Sequence, residues 1–469
     1  MSSNHNIRMA VLPILFIGFE LLAQSQSPTL PNAPGAQFLI LSSAQSTSTA
    51  MPSPPPAADG SPTSLTRQEA EKIALANNPR IQISQLIAKV QHQVVRERRA
   101  DELPEVRGNL TAVAANDGSR LSSGTLTAST LLEHAGMGVQ LSQLVTDFGR
   151  TANLIASAKL QEKARLADAE ASRQDIVLAT DQVFFAVIES QETLKVAAQT
   201  VSARQSLTDQ VSALTSSKLR SDLDLSFAQV NLSQAKLLQL DARNNLDAAM
   251  AAFSAVLGYE KQMNFQLIDD IGSLPALPPD ADALIEQAIQ NRPDLQSLKF
   301  NEEAARKFSK AQHEQLLPTI GVLGVVGETP VGSSQYFTTD WYGAVGGNVS
   351  IPIFNGFRFP AQAAEAALQA QVASERTRDL RDQVERDVKT AWLNANTALQ
   401  RVTVTAELLK EANTALELAK TRYDLGLSSI VELSQAELQQ TEAAISNANA
   451  RSQYDFAIST INFETGVQP

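Results

Sequence analysis

The side chains that could do nucleophilic or metal chemistry are few in this sequence and lie far apart. The chain has no cysteine, which excludes disulfides, thiolate metal sites and thiol nucleophiles. It has four histidines, and they do not have the spacing of metal ligands. We therefore expect neither a metal site nor a cofactor. The histidines are His5, His92, His134 and His313.

One glycine-rich segment, Gly343-Ala344-Val345-Gly346-Gly347, has the composition of a phosphate-binding loop. No Walker lysine follows it, and it lies inside a strand pattern, so we do not assign it to a nucleotide. The sequence also lacks a Ser-His-Asp order with elbow glycines and a pair of carboxylates for acid–base catalysis. We therefore expect that the chain is not an enzyme.

The charge balance disfavours nucleic acid as a partner. Lys and Arg total 38 and Asp and Glu total 50, which gives a formal net charge of −12 at pH 7. Binding to nucleic acid is driven largely by basic side chains that neutralise phosphates. An acidic chain does not suit that role.

The N-terminal residues differ in composition from the rest of the chain. Residues 1–23 contain Arg8 and then an apolar run from Met9 to Phe19, which has the length of the apolar region in an export signal and is too short to span a bilayer as a helix. Residues 24–64 are rich in Pro, Ser and Thr. We expect a signal peptide over 1–23 and a disordered leader over 24–64.

The remaining sequence contains one pattern twice. Short landmarks recur in the same order at an offset of 208 to 214 residues. Such self-similarity predicts an internal duplication. We expect a first structural repeat over 65–258, a connector over 259–281 and a second repeat over 282–469. The paired landmarks are Asn78-Pro79 with Arg292-Pro293, Leu103-Pro104 with Leu317-Pro318, Asp147-Phe148-Gly149-Arg150 with Asn355-Gly356-Phe357-Arg358, and Asp224-Leu225 with Glu432-Leu433.

Each repeat contains helical sequence of unusual length. Neither Gly nor Pro occurs from Arg150 to Leu257 or from Ala361 to Leu425. A helix from Thr151 to about Thr215 would be roughly 95 Å long. That length predicts a coiled coil or an extended bundle.

A packing stripe runs along the second long helix. Its residues step by four and three without a break, and several are Ala. A repeat of 3.5 residues imposes a left-handed supercoil, and small side chains let neighbouring helices approach closely. A rougher stripe in the first repeat runs from Ile176 to Leu214. The stripe consists of Val384, Val388, Ala391, Ala395, Ala398, Val402, Thr405, Leu409, Ala412, Leu416, Ala419 and Tyr423.

Four segments without charged residues predict β-strands. They are rich in Gly and β-branched residues, and in the last of them apolar residues alternate with polar or small ones. Aromatic residues at both ends of that strand, such as Trp341 and Phe354, are typical of a membrane interface. The strands are Gly108–Ala115, Gly136–Val145, Thr319–Val326 and Trp341–Phe354, and the loops within each pair are Asn116–Thr130 and Gly327–Asp340.

The sequence resembles the TolC-like outer-membrane efflux family from about residue 65 to the C-terminus. The matching motifs are the paired landmarks above and Tyr423-Asp424-Leu425-Gly426 followed by Ile430-Val431-Glu432-Leu433. The resemblance implies a mainly α fold with a small membrane β part. Duplicated long-helix hairpins would form a periplasmic α-barrel tunnel, and four strands per chain would contribute to a shared trimeric outer-membrane β-barrel.

The same resemblance implies the channel-tunnel of a tripartite efflux pump or a type I secretion system, which acts as a passive exit duct. The chain would be a homotrimer in the outer membrane, with lipid around it, and its protein partners would be a periplasmic adaptor and an inner-membrane pump. The alternative is a periplasmic adaptor or a coiled-coil scaffold, since each contains long helices. The duplication and the two charge-free strand pairs argue against both alternatives.

The resemblance also implies a periplasmic gate where the second long helix turns at Gly426. It places Tyr423 in tethering bonds and Glu432 in an acidic constriction, where a ring of like charges would select cations and bind divalent ions. Asp224 is the counterpart of Glu432 in the first repeat. Gln435 stands where better-known members carry a second acid. The alternative is that Glu432 is an ordinary acid at a helix N-terminus.

The turn sequences of the two repeats differ. Thr215 and Lys218 stand where the second repeat has the Tyr and Gly of the motif, and Ser428 stands where some family members carry Arg. The tether and the charge of the constriction are therefore expected to differ from those members. At the opposite end of the long helices, where strand returns to helix, the expected turn residues are Asp147, Gly149, Asn355 and Gly356.

Overall fold

The structure is a computed structural model, and it describes residues 63–113, 120–123, 126–130, 134–263, 265–268, 274–329 and 340–467. The expected signal peptide lies outside the described residues, as does the expected leader apart from its last two residues.

The described residues form eight helices and eight strands, and the two halves have matching helices. In each half the helices contain, in order, 11, 22, 67 and 35 residues. The helices are α1 Arg67–Asn77, α2 Pro79–Ala100, α3 Arg150–Ser216, α4 Asp222–Val256, α5 Ala281–Asn291, α6 Pro293–Glu314, α7 Arg358–Asp424 and α8 Ile430–Glu464. The strands are β1 Thr63–Leu65, β2 Glu105–Val113, β3 Arg120–Ser123, β4 Leu126–Thr130, β5 His134–Thr146, β6 Phe265–Leu267, β7 Thr319–Thr329 and β8 Asp340–Ser350.

Proline separates the short helices from the helices that follow them. The residue before a proline is disfavoured in the α conformation. Asn78 and Arg292 accordingly adopt extended ψ values of 122° and 121° and end α1 and α5. Pro79 and Pro293 then take the first position of α2 and α6, where the missing N–H removes no helical hydrogen bond.

The long helices lie side by side in a fixed order. α3 packs against α2 and α6 near its start and against α4 and α8 farther on, and α7 packs against α6 and then α8. Asn153 of α3 donates to both carboxylate oxygens of Glu314 on α6, at 2.8 and 2.9 Å. Near the start of α3 the order across this layer is therefore α2, α3, α6, α7. Farther along α3 the order is α4, α3, α8, α7.

The packing stripe predicted along α7 is confirmed. Every residue in it is buried or half-buried, and Val384, Val388 and Ala395 are among the most buried side chains of the helix. Ala398 is half-buried. The small side chains on this stripe let α6 and α8 lie close to α7.

Four strands form one antiparallel sheet in the order β2-β5-β7-β8. This is the order of the helices to which they connect, because β2 follows α2, β5 precedes α3, β7 follows α6 and β8 precedes α7. The sheet and the helical layer therefore have the same two edges.

The predicted strands differ from the observed ones at their ends. β2 begins at Glu105 rather than Gly108, because Glu105 and Arg107 pair with each other at 2.7 Å on the exposed surface and are accommodated in the strand. β8 ends at Ser350 rather than Phe354, since Pro352 has no N–H for a strand ladder. The predicted loop 116–130 contains a short hairpin, β3 with β4. Residues 330–339 of the second predicted loop lie outside the described residues.

The apolar core lies at the middle of the helices, where the connector returns to them. Phe184, Phe253 and Phe265 stack edge to face, with ring centroids 6.2 and 5.6 Å apart. Trp392 of α7 donates its indole N–H to the carbonyl oxygen of Pro278 at 2.8 Å. The connector therefore fastens both repeats at this level.

A buried charge cluster attaches α1 to α3. Arg67 lies 3.0 Å from Asp181 and 3.5 Å from Glu71, and the two carboxylate side chains are only 3% and 7% exposed. Burial, together with repulsion from Asp181, raises the pKa of Glu71 to about 7. One arginine thus faces two acids, and the cluster is most stable when Glu71 carries a proton.

None of the described helices has an apolar stretch long enough to cross a membrane.

The attachment of α1 should depend on pH. Folding raises the pKa of Glu71 from 4.5 to about 7. The stabilisation that a protonated Glu71 gives to the folded protein is therefore complete below pH 4.5 and is lost as the pH rises through about 7. Hydrogen exchange in α1, corrected for the intrinsic rate, should accelerate between about pH 5 and pH 8. Glu71→Gln should remove this dependence, and Glu97→Gln, on the exposed face of α2, should retain it. If the exchange in α1 still depended on pH in Glu71→Gln, another titrating group would be responsible.

The stripe on α7 should not accept a large side chain. Ala395→Phe should lower the free energy of unfolding by about 1–3 kcal/mol, because a fully buried alanine has no room for an aromatic ring. Ala398→Phe should cost less, since that site is half-buried. Thr397→Phe, on the exposed face, is the matched control. Thermal melting followed by circular dichroism checks the order, and equal melting of all three variants would contradict it.

Candidate functional site

The candidate gate lies at the two turns where the long helices reverse direction. In the turn between α3 and α4, Lys218 has a φ of +59°, and in the turn between α7 and α8, Gly426 has a φ of +73°. The Lys218 N–H donates to the carbonyl oxygen of Thr215, and the Gly426 N–H donates to the carbonyl oxygen of Tyr423, both at 2.9 Å. The two turns therefore have the same geometry although only the second contains glycine.

Serine side chains begin the helices that follow these turns. Ser221 and Asp224 form a capping box, in which the Asp224 N–H donates to the serine hydroxyl at 3.1 Å and its carboxylate accepts from the Ser221 N–H at 3.4 Å. Ser429 accepts from the Glu432 N–H at 3.4 Å. The Glu432 carboxylate instead lies 3.3 Å from the guanidinium of Arg422. The two acids occupy matching positions but have different partners.

Tyr423 is the centre of the contact between the two turns. Its side chain is 1% exposed, and the guanidinium of Arg220 lies 4.3 Å from the centre of its ring. Arg220 also donates a hydrogen bond of 2.7 Å to the carbonyl oxygen of Tyr423. Burial raises the pKa of Tyr423, while the charge of Arg220 opposes this. Within the described part of the chain its buried hydroxyl has no hydrogen-bond partner.

Apolar packing and a second polar group hold the same four helices together. Arg204 of α3 donates to the carbonyl oxygen of Asn231 on α4 at 3.0 Å and lies 3.8 Å from Glu437 on α8. Burial raises the pKa of Glu437, and Arg204 opposes this. The apolar cluster around Tyr423 consists of Val211, Ala228, Ala419, Tyr423, Ile430, Leu433 and Ala436.

The structure brings together only some of the predicted gate residues. Tyr423 and Asp224 lie close enough for the carboxylate to affect the pKa of the tyrosine. Glu432 and Gln435 are exposed on the face of α8 that points away from this cluster. Sequence reasoning missed Arg220, whose contact with Tyr423 joins residues 203 positions apart. No local motif marks that arginine.

The predicted turn residues at the other end of the long helices form separate junctions. Asp147 accepts hydrogen bonds from the N–H and hydroxyl of Thr151, at 2.8 and 2.6 Å, and so begins α3. Phe148 and Gly149 both have positive φ values, of 57° and 107°. Since α3 contains 67 residues, this junction is roughly 100 Å from the tips.

The second junction also has two consecutive residues with positive φ, but glycine comes before phenylalanine instead of after it. Gly356 and Phe357 have φ values of 65° and 63°. The Arg358 N–H donates to the carbonyl oxygen of Asn355 at 3.4 Å. The backbone shape is therefore common to both repeats, while the position of glycine is not.

The family model of outer membrane efflux proteins matches residues 72–259 and 284–466 of this chain. This chain belongs to the outer membrane efflux protein family. It is an outer-membrane protein with a large helical periplasmic part, and the family consists of channel proteins.

Individual proteins and a solved structure agree with this assignment. The chain is 22% identical to the outer membrane protein TolC of Escherichia coli K12 over 415 residues. This match covers 84% of this chain and 80% of TolC. It is 24% identical over 257 residues to the alkaline protease secretion protein AprF of Pseudomonas aeruginosa, or 51% of this chain and 50% of that one. The crystal structure of the Campylobacter jejuni CmeC outer membrane channel has the same fold, with a TM-score of 0.72 at 17% identity over 85% of each chain.

The two turns should respond differently to substitution. Gly426→Ala should destabilise its turn by about 1–2 kcal/mol, because a residue with a Cβ is strained at positive φ. Lys218→Gly should not destabilise the other turn, since its lysine already bears that strain. Hydrogen exchange of the amides in each turn checks this difference. Equal loss of protection in both variants would contradict the assigned backbone geometry.

Proposed function

We propose that several copies of this chain form a passive exit duct across the outer membrane and the periplasm. A periplasmic adaptor and an inner-membrane pump would deliver the cargo, so this role includes no catalytic step. The family is named for efflux, and AprF is named for secretion of a protease. Both names support a duct that serves either efflux or type I secretion.

The two open edges of the chain carry this proposal. β2 and β8 are the outer strands of the sheet, and each pairs on one side only among the described strands. An unpaired strand edge in lipid leaves main-chain N–H and C=O groups without partners, which is prohibitively unfavourable. Because α2 and α4 continue the β2 edge and α7 continues the β8 edge, one copy can meet the next along its whole length.

Exposed apolar side chains lie on the helices at both edges. On α2 they follow the spacing of one helical face, and on α4 they are three, four or seven residues apart. Side chains of this kind are stabilised when a second helix covers them. They are Ile83, Leu86, Ile87 and Val90 on α2, Leu223, Phe227, Val230, Leu237 and Leu240 on α4, and Leu368, Val372, Leu393, Val404, Leu408 and Leu418 on α7.

The number of copies must exceed one. The sheet of each chain has four strands, and the smallest closed transmembrane sheets have about eight. We take three copies, the number that the family resemblance implies. The helical layers of three chains would then form the wall of one tunnel below the sheet.

The gate of this duct is proposed to lie at the helical tips. Arg220 fastens the turn of α7 and α8 to the turn of α3 and α4, through the ring face and the carbonyl of Tyr423. A cation over an aromatic ring contributes about 1 kcal/mol, and a hydrogen bond from a charged donor about 2 kcal/mol. Such a contact is strong enough to favour the closed tip and weak enough to be broken by a partner.

The other predicted site residues have supporting roles in this proposal. Glu432 and Gln435 lie on the exposed face of α8 next to the gate, and Asp224 orders the start of α4. The junction residues Asp147, Gly149, Asn355 and Gly356 connect the tunnel to the sheet at the far end.

Loss of Arg220 should open the tip. In planar lipid bilayers, Arg220→Gln should raise the single-channel conductance several-fold, because it removes both contacts with Tyr423. The conductance of Tyr423→Phe should stay close to that of the unmodified protein, since the tyrosine hydroxyl has no hydrogen-bond partner in the described structure. Arg306→Gln, which breaks an exposed ion pair with Glu302 on α6, is the matched control.

Two results would overturn separate parts of this proposal. The absence of channel activity from the unmodified protein and from all variants would contradict the duct. Channels whose conductance is the same in Arg220→Gln and in the unmodified protein would contradict the assigned gate and leave the duct in place.

A further inference from the structure

An ion pair lies at the turn where the predicted acidic constriction should be. The Nε of Arg422, in the last turn of α7, is 3.3 Å from a carboxylate oxygen of Glu432, in the first turn of α8. The two side chains are 56% and 47% exposed. The acid that the family resemblance assigns to the constriction therefore has a base beside it in the same chain.

The backbone holds both members of this pair in place. The carbonyl oxygen of Arg422 accepts the N–H of Leu427 at 2.8 Å, which closes the turn. Ser429 caps the helix that carries Glu432, and Ile430 and Leu433 anchor that helix in the apolar cluster. The negative end of α7 favours the arginine and the positive end of α8 favours the glutamate. The pair is thus built into the turn.

Pairing changes the field that the turn produces. In a symmetric assembly, unpaired glutamates would form a ring of like charges. A glutamate with a guanidinium 3.3 Å away is a dipole, whose field falls off faster with distance than that of a single charge. Gln435, one helical turn farther on, adds no charge.

The charges at the tips, with this pair included, sum to a small net charge in each chain. Across residues 217–224 and 422–432 there are three basic and four acidic side chains. Arg220 lies on Tyr423, and Asp224 faces the start of its own helix. Pairing of Glu432 with Arg422 therefore removes one of the four acidic charges that each chain places at the tips.

We propose that Arg422 determines the ion selectivity of the gate by neutralising Glu432. This inference rests on the proposed closure of the duct at the helical tips. The gate then discriminates little between cations and anions and does not retain a divalent cation. Anionic as well as cationic cargo can pass it.

Removal of the arginine should expose the acid. In planar bilayers with a KCl gradient, Arg422→Gln should raise the ratio of cation to anion permeability by at least about threefold, because each glutamate then acts as a full charge. It should also make the channel sensitive to block by millimolar Mg²⁺, which the unmodified protein should resist. Glu432→Gln should shift the selectivity toward anions.

Two further variants serve as controls. Arg381→Gln is matched to Arg422→Gln, since Arg381 is on the same helix and forms an exposed pair with Glu385, also at 3.3 Å, far from the tips. It should leave selectivity and Mg²⁺ block unchanged. The double variant Arg422→Gln with Glu432→Gln should lose the cation selectivity and the block gained by the single variant, because the exposed acid is gone.

The outcomes separate this inference from the proposed function. A change in Glu432→Gln without a change in Arg422→Gln would overturn the role of Arg422, while keeping Glu432 at the pore. Unchanged selectivity in both single variants would overturn the inference and remove both residues from the pore. Strong cation selectivity and Mg²⁺ block in the unmodified protein would also overturn it. The absence of any channel would overturn the proposed function itself.

Discussion

The order of the strands in the sheet determines the order of the long helices, because each strand joins its helix through only a few residues. Three residues separate β5 from α3, four separate α2 from β2 and α6 from β7, and seven separate β8 from α7. Neighbouring strands must pair, so the helices beneath them become neighbours as well. The small residues on the α7 stripe then allow these neighbours to pack over their full length. Strand pairing thus fixes the order of the helices, and the edges of the sheet continue as the edges of the helical layer down to the tips.

The long helices separate the sheet from the tips by roughly 100 Å. At the sheet, the junctions at Asp147 and Asn355 set the direction in which the long helices leave. At the tips, a cluster of buried apolar residues and the contact of Arg220 with Tyr423 hold four helices together. The sequences of the two turns there differ between the repeats. The apolar cluster at the tips is smaller than the core at the middle of the helices.

Much of the fold could be predicted from the sequence because it depends on periodic patterns. The predicted helix start at Thr151 is one residue from the observed start at Arg150, and every residue of the α7 stripe is buried or half-buried, as its spacing predicts. The strand ends were less accurate, since the absence of charge is a poor criterion where Glu105 pairs with Arg107 at a strand end. Sequence also predicted a turn at Gly426. The matching geometry at Lys218 was not predictable, because lysine rarely adopts positive φ.

At the proposed gate, local sequence patterns predict only some of the contacts. Tyr423 is the last residue of the α7 stripe, so its burial follows from the pattern. The arginine that covers its ring comes from the other repeat and is placed by tertiary packing alone. The bond between Arg422 and Glu432 likewise depends on the geometry of the turn, which the residue types do not specify.

The proposed duct requires that the two edges of this chain meet between copies and enclose a lumen. Electron cryo-microscopy of the protein in lipid nanodiscs would show whether they do. We expect three copies, with β8 and α7 of one chain against β2, α2 and α4 of the next, around a lumen that narrows at Tyr423. A single copy with both edges unpaired, or copies joined through other surfaces without a lumen, would contradict it.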